Sequence, residues 1–106
     1  GYFYSFTLHL QGASFEKFRN QLKQSLVDLP PETDLFICTG ETPWEYHYSQ
    51  DNYKPLSILD ASTIKATIDN KQFVKISSWI PISADTTMVL NEGKSKFRQF
   101  MGLLYP

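Results

Sequence analysis

The chain opens Tyr2-Phe3-Tyr4-Ser5-Phe6-Thr7-Leu8-His9-Leu10, turns at Gln11-Gly12-Ala13, and continues from Ser14-Phe15-Glu16-Lys17-Phe18-Arg19 to Leu29. In the first stretch Tyr2, Tyr4, Phe6, Leu8 and Leu10 fall on one face, and Phe3, Ser5, Thr7 and His9 on the other. A period of two marks a half-buried strand. In the second stretch Phe15, Phe18, Leu22, Leu26 and Leu29 recur at steps of three and four. That spacing lays them along one stripe of a helix, which must fold back onto the strand to bury it. Ser14 is the expected N-cap, with Glu16 in the first turn where the helix dipole favours a carboxylate. Pro30-Pro31 ends the helix, because a residue before proline is pushed out of the helical region.

Beyond this strand and helix the pattern is shorter-ranged. Asp34 to Thr39 is an apolar run without alternation, the mark of a central strand covered on both faces. Gly40-Glu41-Thr42-Pro43 is a turn. Trp44, Tyr46 and Tyr48 then alternate with Glu45 and His47. Ser49 to Pro55 reads as a polar loop and Leu56 to Leu59 as a short strand. Asp60 to Asn70 fits two patterns. As a helix it has Asp60 as N-cap and Ile64 with Ile68 at i, i+4. As a strand it alternates Ile64, Ala66 and Ile68 with Thr63, Lys65 and Thr67. Its β-branched residues and the Asp69-Asn70 corner favour the strand and a hairpin. Gln72 to Ile82 is the longest strand candidate, with Val74, Ile76, Ile80 and Ile82 on one face and Pro81 placing its far end at a sheet edge. Thr86 to Leu90 reads as a further strand, Asn91-Glu92-Gly93 as a turn, and Phe97, Phe100, Met101 and Leu104 as a second amphipathic helix. The expected architecture is therefore α+β: a mainly antiparallel sheet with two amphipathic helices packed on one face. A ferredoxin-like βαββαβ order is the alternative if residues 60–70 are helical.

Composition narrows function mainly by exclusion. A chain of 106 residues with 42% hydrophobic and 15% aromatic side chains supplies one compact core. A net charge of −1 gives no global field for nucleic acid or an anionic membrane. One cysteine, Cys38, rules out an internal disulfide framework and points to an intracellular setting. No apolar run approaches the length of a membrane span. A strand pattern at the first residues and an apolar helix pattern at the last read as a domain of a longer protein.

The candidates for chemistry are few. Glycines 1, 12, 40, 93 and 102 are isolated, so no phosphate-cradling loop forms from local sequence. His9, His47 and Cys38 lack metal-ligand spacing, and no cofactor is expected. Cys38, His47 and Asp60 supply the residue types of a nucleophilic triad, and Glu41 with Glu45 those of an acid–base pair. Cys38, however, sits in an apolar strand with no basic neighbour to hold a thiolate. Lys94, Lys96 and Arg98 are the densest basic cluster, suited to phosphate, acidic peptide, lipid headgroups or nucleic acid. At the start of a helix they would oppose its dipole.

Three functional readings follow. The favoured one is a non-catalytic protein-interaction or regulatory domain of an intracellular protein, binding through Trp44, Tyr46, Tyr48 and Glu45. The acids Glu41, Glu45 and Asp51 around that row would suit a partner with a basic surface. The second is single-stranded RNA binding on an aromatic sheet face, with Phe3, Trp79 and the Trp44, Tyr46 and Tyr48 row as stacking platforms, aided by Lys94, Lys96 and Arg98. The third is a small Cys/His-dependent enzyme.

Overall fold

The computed structural model describes residues 3–42, 52–81, 83 and 85–106. The first strand, β1 (Phe3–Gln11), leads through Gly12 into α1 (Ala13–Val27). Gly12 holds φ at +64°, a left-handed conformation that costs glycine nothing. It takes the N-cap position expected of Ser14. Ser14 lies one residue inside the helix, where its Oγ donates to the Gln11 carbonyl at 2.9 Å and fastens the corner.

The remaining elements are β2 (Phe36–Cys38), β3 (Tyr53–Pro55), a single 3-10 turn (Leu56–Ile58), α2 (Ala61–Asp69), β4 (Phe73–Pro81) and α3 (Thr86–Leu104). Among the described residues four strands form one sheet in the order β1-β4-β2-β3, and each of their pairings is antiparallel. The fold class is α+β, as the sequence leads one to expect. β1 and β4 pair along their full length, from Phe3 opposite Pro81 to Gln11 opposite Phe73, without a bulge. The register sets Leu8 against Ile76 and Leu10 against Val74, so the apolar sides of both strands share one face. Ile37 of β2 joins that face opposite Ile76. Among the described residues β4 pairs beyond Ser77 with β1 alone, and Pro81 lies at that end, where its missing N–H is harmless.

All three helices contribute to the core on this face. Phe15, Leu22 and Leu26 of α1, Ile64 and Ile68 of α2, and Phe100, Leu103 and Leu104 of α3 are buried in one cluster with Leu8, Ile37, Val74 and Ile76. α1 contacts both other helices. Ser25 Oγ donates to the Leu103 carbonyl at 2.7 Å, satisfying an acceptor at the C-terminus of α3. On the α2 side, Arg19 donates to the carbonyls of Ile68 (2.6 Å) and Lys71 (3.2 Å), and Lys23 pairs with Asp69 at 2.7 Å.

The opposite face of the sheet carries a second cluster. Cys38, Tyr53 and Phe73 are buried there, with Phe36 and Trp79 packed against them. Phe36 and Trp79 lie 4.2 Å apart at the ring centroids, and Tyr53 meets Trp79 edge-on at 5.7 Å. Toward β1 this face turns polar. Thr7 and Ser77, directly opposed, share a 2.9 Å hydrogen bond.

Four local expectations are corrected. Residues 61–69 are helix α2, not one arm of a hairpin. The Asp60 carboxylate accepts the Thr63 N–H at 2.8 Å, and Thr67 Oγ1 bonds back to the Thr63 carbonyl at 2.8 Å. Burial of Ile64 and Ile68 then outweighs the weak helix propensity of β-branched residues. The element order now reads βαββαβα, so the first six elements follow the βαββαβ order expected if residues 60–70 are helical. β1-α1-β2 and β3-α2-β4 are each a split βαβ unit, whose two parallel strands are separated by one antiparallel strand, with β4 and β2 at the centre of the sheet. Thr86 to Gly93 is neither strand nor turn but the first half of α3, started by Asp85, whose carboxylate accepts the Met88 N–H at 2.8 Å. Finally, the strand expected at Leu56 to Leu59 lies instead at Tyr53–Pro55, and Leu56 opens the 3-10 turn.

Candidate interaction surface

Because α3 begins at Thr86, its surface is longer than the sequence pattern suggests. One side buries Lys96, Phe100, Leu103 and Leu104. The other exposes Leu90 at 60% and Phe97 at 64% of their surface, with Lys94 and Arg98 beside them. Positions 90, 94, 97 and 98 are three, four and seven apart and so form one stripe. α3 comes close to β1 at Gly93, where a β-carbon would lie 3.2 Å from Phe6 Cε1. This explains a glycine inside a helix: only a bare backbone lets Phe6 approach so near without adjustment.

Between the α3 stripe and β1 lies a groove of about 480 Å³, lined by Phe6, Val89, Leu90, Gly93 and Phe97 with Lys94 and Arg98. Its lining is almost wholly carbon, Lys94 and Arg98 contributing chiefly their aliphatic stems and keeping their charges at the rim. Among the described residues neither Lys94 nor Arg98 forms an ion pair. Exposed apolar residues scattered singly are ordinary; a contiguous apolar groove rimmed by two cations without an ion pair among the described residues is not.

The structure divides the basic cluster of the sequence. Lys96 is 8% exposed, and its ammonium is held by the Asp34 carboxylate at 3.0 and 3.1 Å and by Gln99 Oε1 at 3.4 Å. It fastens α3 to the segment entering β2, while Lys94 and Arg98 face the groove. All three lie in the interior of a 19-residue helix, so the dipole penalty expected of a helix start does not apply. The aromatic row Trp44, Tyr46 and Tyr48, with Glu45, lies outside the described residues, as do His47 and Asp51.

Other candidates have structural duties. Cys38 is a buried free thiol in the aromatic cluster. Asp60 caps α2, and the Thr63 N–H lowers its pKa below the ordinary aspartate value. Glu16 is lowered likewise by the guanidinium of Arg19, with which it forms an ion pair. His9 is exposed on β1, edge-on to Phe73 at 6.5 Å. Glu41 is exposed after β2. Among the described residues no three His, Cys, Asp or Glu side chains come together as a metal site, and no helix is long and apolar enough to cross a membrane.

Phe6, Val89, Leu90 and Gly93 are the groove residues that sequence reasoning did not find. The signal was present: Leu90, Lys94 and Phe97 share a stripe once the helix is extended back to Asp85. Reading Asn91-Glu92-Gly93 as a turn concealed it. No protein-family model matches the chain, and comparison with curated proteins and with solved structures finds no significant match.

Proposed function

We propose that the chain is a non-catalytic protein-interaction or regulatory domain that acts within a larger intracellular protein. The observation that carries this reading is the groove between α3 and β1, where Leu90 and Phe97 remain largely exposed although the same helix buries Phe100, Leu103 and Leu104. With about three-fifths of each side chain still in water, roughly 1–2 kcal/mol of burial is forgone at each. A partner that covers them recovers that energy.

The RNA reading has less support. Trp79 is packed against Phe36 and Tyr53, and Lys96 is committed to Asp34, so neither is presented for stacking or phosphate contact. The test is site-specific photocrosslinking in the parent protein within its native extract. A crosslinker at position 90 or 97 is expected to capture one discrete protein, and the same group at exposed Ser57 or Lys65 to capture none. Equal, diffuse labelling from all four positions would refute the proposal.

A further inference from the structure

We propose that the groove receives an extended, acidic and apolar peptide, which adds as a fifth strand on the open edge of β1. This rests on the interaction-domain reading and names its partner class.

The two edges of the sheet differ in kind. β3 has three residues, including Lys54 and Pro55, and charge and proline are the usual means of blocking edge pairing. β1 has nine residues, Phe-Tyr-Ser-Phe-Thr-Leu-His-Leu-Gln, with no Lys, Arg, Asp, Glu or Pro among them. Its register against β4 is unbroken, so no bulge turns the edge away. Among the described residues β1 pairs with β4 alone. Alternate residues of such a strand direct N–H and C=O outward and form a ready template.

The groove opens beside that template. Phe6 lies on the helix side of β1 and also lines the groove with Leu90 and Phe97 of α3. In an added strand, alternate side chains would point to the helix side of the sheet, into this apolar space. Main-chain bonds to β1 would supply affinity, and the groove would select side chains. Lys94 and Arg98 have no acid of their own among the described residues, so the charge they select is negative. That requirement disfavours a second copy pairing β1 to β1, because β1 carries no acid to offer.

The test uses random peptides of about 12 residues displayed on phage, long enough to run along β1 at about 3.3 Å per residue. They are selected on the folded domain. Recovered sequences are expected to alternate apolar and polar residues and to contain Asp or Glu. A synthetic copy should protect alternate amides of β1 from hydrogen exchange and lose binding when its own alternate amides are N-methylated. Lys94→Glu with Arg98→Glu should weaken it about tenfold or more, and added salt should weaken the wild-type complex. Phe97→Ser should weaken binding comparably, with circular dichroism unchanged because the residue is exposed.

The strand-addition proposal is overturned by selected peptides with apolar residues at i, i+3 and i+4, by indifference to the charge reversals, or by unprotected β1 amides. It is also overturned if the domain binds phosphatidylserine vesicles through these residues and no peptide, or dimerises through β1. If crosslinking at position 97 still captures one protein, the interaction-domain reading survives that failure. If crosslinking is diffuse, both fall.

Discussion

Arg19→Met isolates the device that holds the shortest helix in place. α2 has nine residues, well below the length at which helices are stable alone, so its order comes from packing and from its ends. At its C-terminal end Arg19 supplies donors to the Ile68 carbonyl (2.6 Å), which otherwise receives only the long Lys71 N–H bond at 3.4 Å, and to the carbonyl of Lys71 just beyond the helix (3.2 Å from both Nη atoms). The guanidinium also lies over the Phe15 ring, 4.1 Å from its centroid. The Arg19 side chain is only 15% exposed, so these interactions escape most solvent screening. The shorter bond, from a charged donor, is worth about 1.5–3 kcal/mol, and the longer shared pair less. Stacking on Phe15 adds about 0.5–1 kcal/mol. Methionine keeps the apolar stem and loses every donor, while water repairs part of the deficit at the half-buried Lys71 end. The expected cost is about 2–3 kcal/mol, read as a lower urea midpoint at unchanged slope. Amide exchange should rise first at Ile68 to Lys71. Arg19→Lys should recover less than half, because an ammonium cannot serve two carbonyls and stack at once. A loss below about 0.5 kcal/mol for the methionine variant, or full recovery by lysine, would refute this account.

Four further outcomes are expected. Leu22→Ala, at a fully buried position of α1, should cost about 2–5 kcal/mol in chemical denaturation; an effect below about 0.5 kcal/mol would place the helix elsewhere. Asp34→Asn deprives the nearly buried Lys96 ammonium of its anion, and because Asp34 is itself 68% exposed the cost should be nearer about 1–2 kcal/mol than the value for a fully buried pair. Acid titration should show Asp60 contributing stability that is complete above its unfolded pKa of about 3.9 and lost as pH falls through its lower folded value; Asp60→Asn should flatten that part of the stability–pH curve, and an unchanged curve would remove the cap from the account. Cys38 should react with thiol reagents only as fast as the domain opens, and rapid labelling of the native state would contradict its burial.

The sequence discloses elements whose pattern is long and clean. β1 and α1 each offer nine or more residues of clean period, and β4, although Ser78 interrupts its apolar face, is long enough for its faces to be assigned correctly through Pro81. Asp34 to Thr39 is placed rightly as a central strand, because its lack of alternation reflects Ile37 and Cys38 facing two different cores. The failures share a cause. In α2 and the first half of α3, local preference points one way and tertiary contact the other. Four β-branched residues in α2 argue for strand until Ile64 and Ile68 find the core. Gly93 argues for a turn until Phe6 occupies the space a side chain would fill. Capping aspartates at 60 and 85 were the better guides, since each satisfies backbone N–H groups that only a helix leaves open. The α3 stripe of Leu90, Lys94 and Phe97 was legible once the helix is started at Asp85, but that Phe6 closes it into a groove depends on which side of α3 meets the sheet.

The pairing of β1 with β4 also fixes the order in which the chain can mature. The closest rung of that ladder joins Gln11 to Phe73, so the chain must be made through Phe73 before β1 acquires a partner. On the ribosome, at about 5–20 residues per second, this uncharged and proline-free segment waits for several seconds. Ladders closed over such long loops form slowly, since the entropy of closure is spent before any rung is gained. α1 can form early and shelter one side of β1, but both backbone edges stay open until β4 arrives. The segment is then a nascent-chain hazard, and slower translation through residues 12–72 should increase its capture by chaperones.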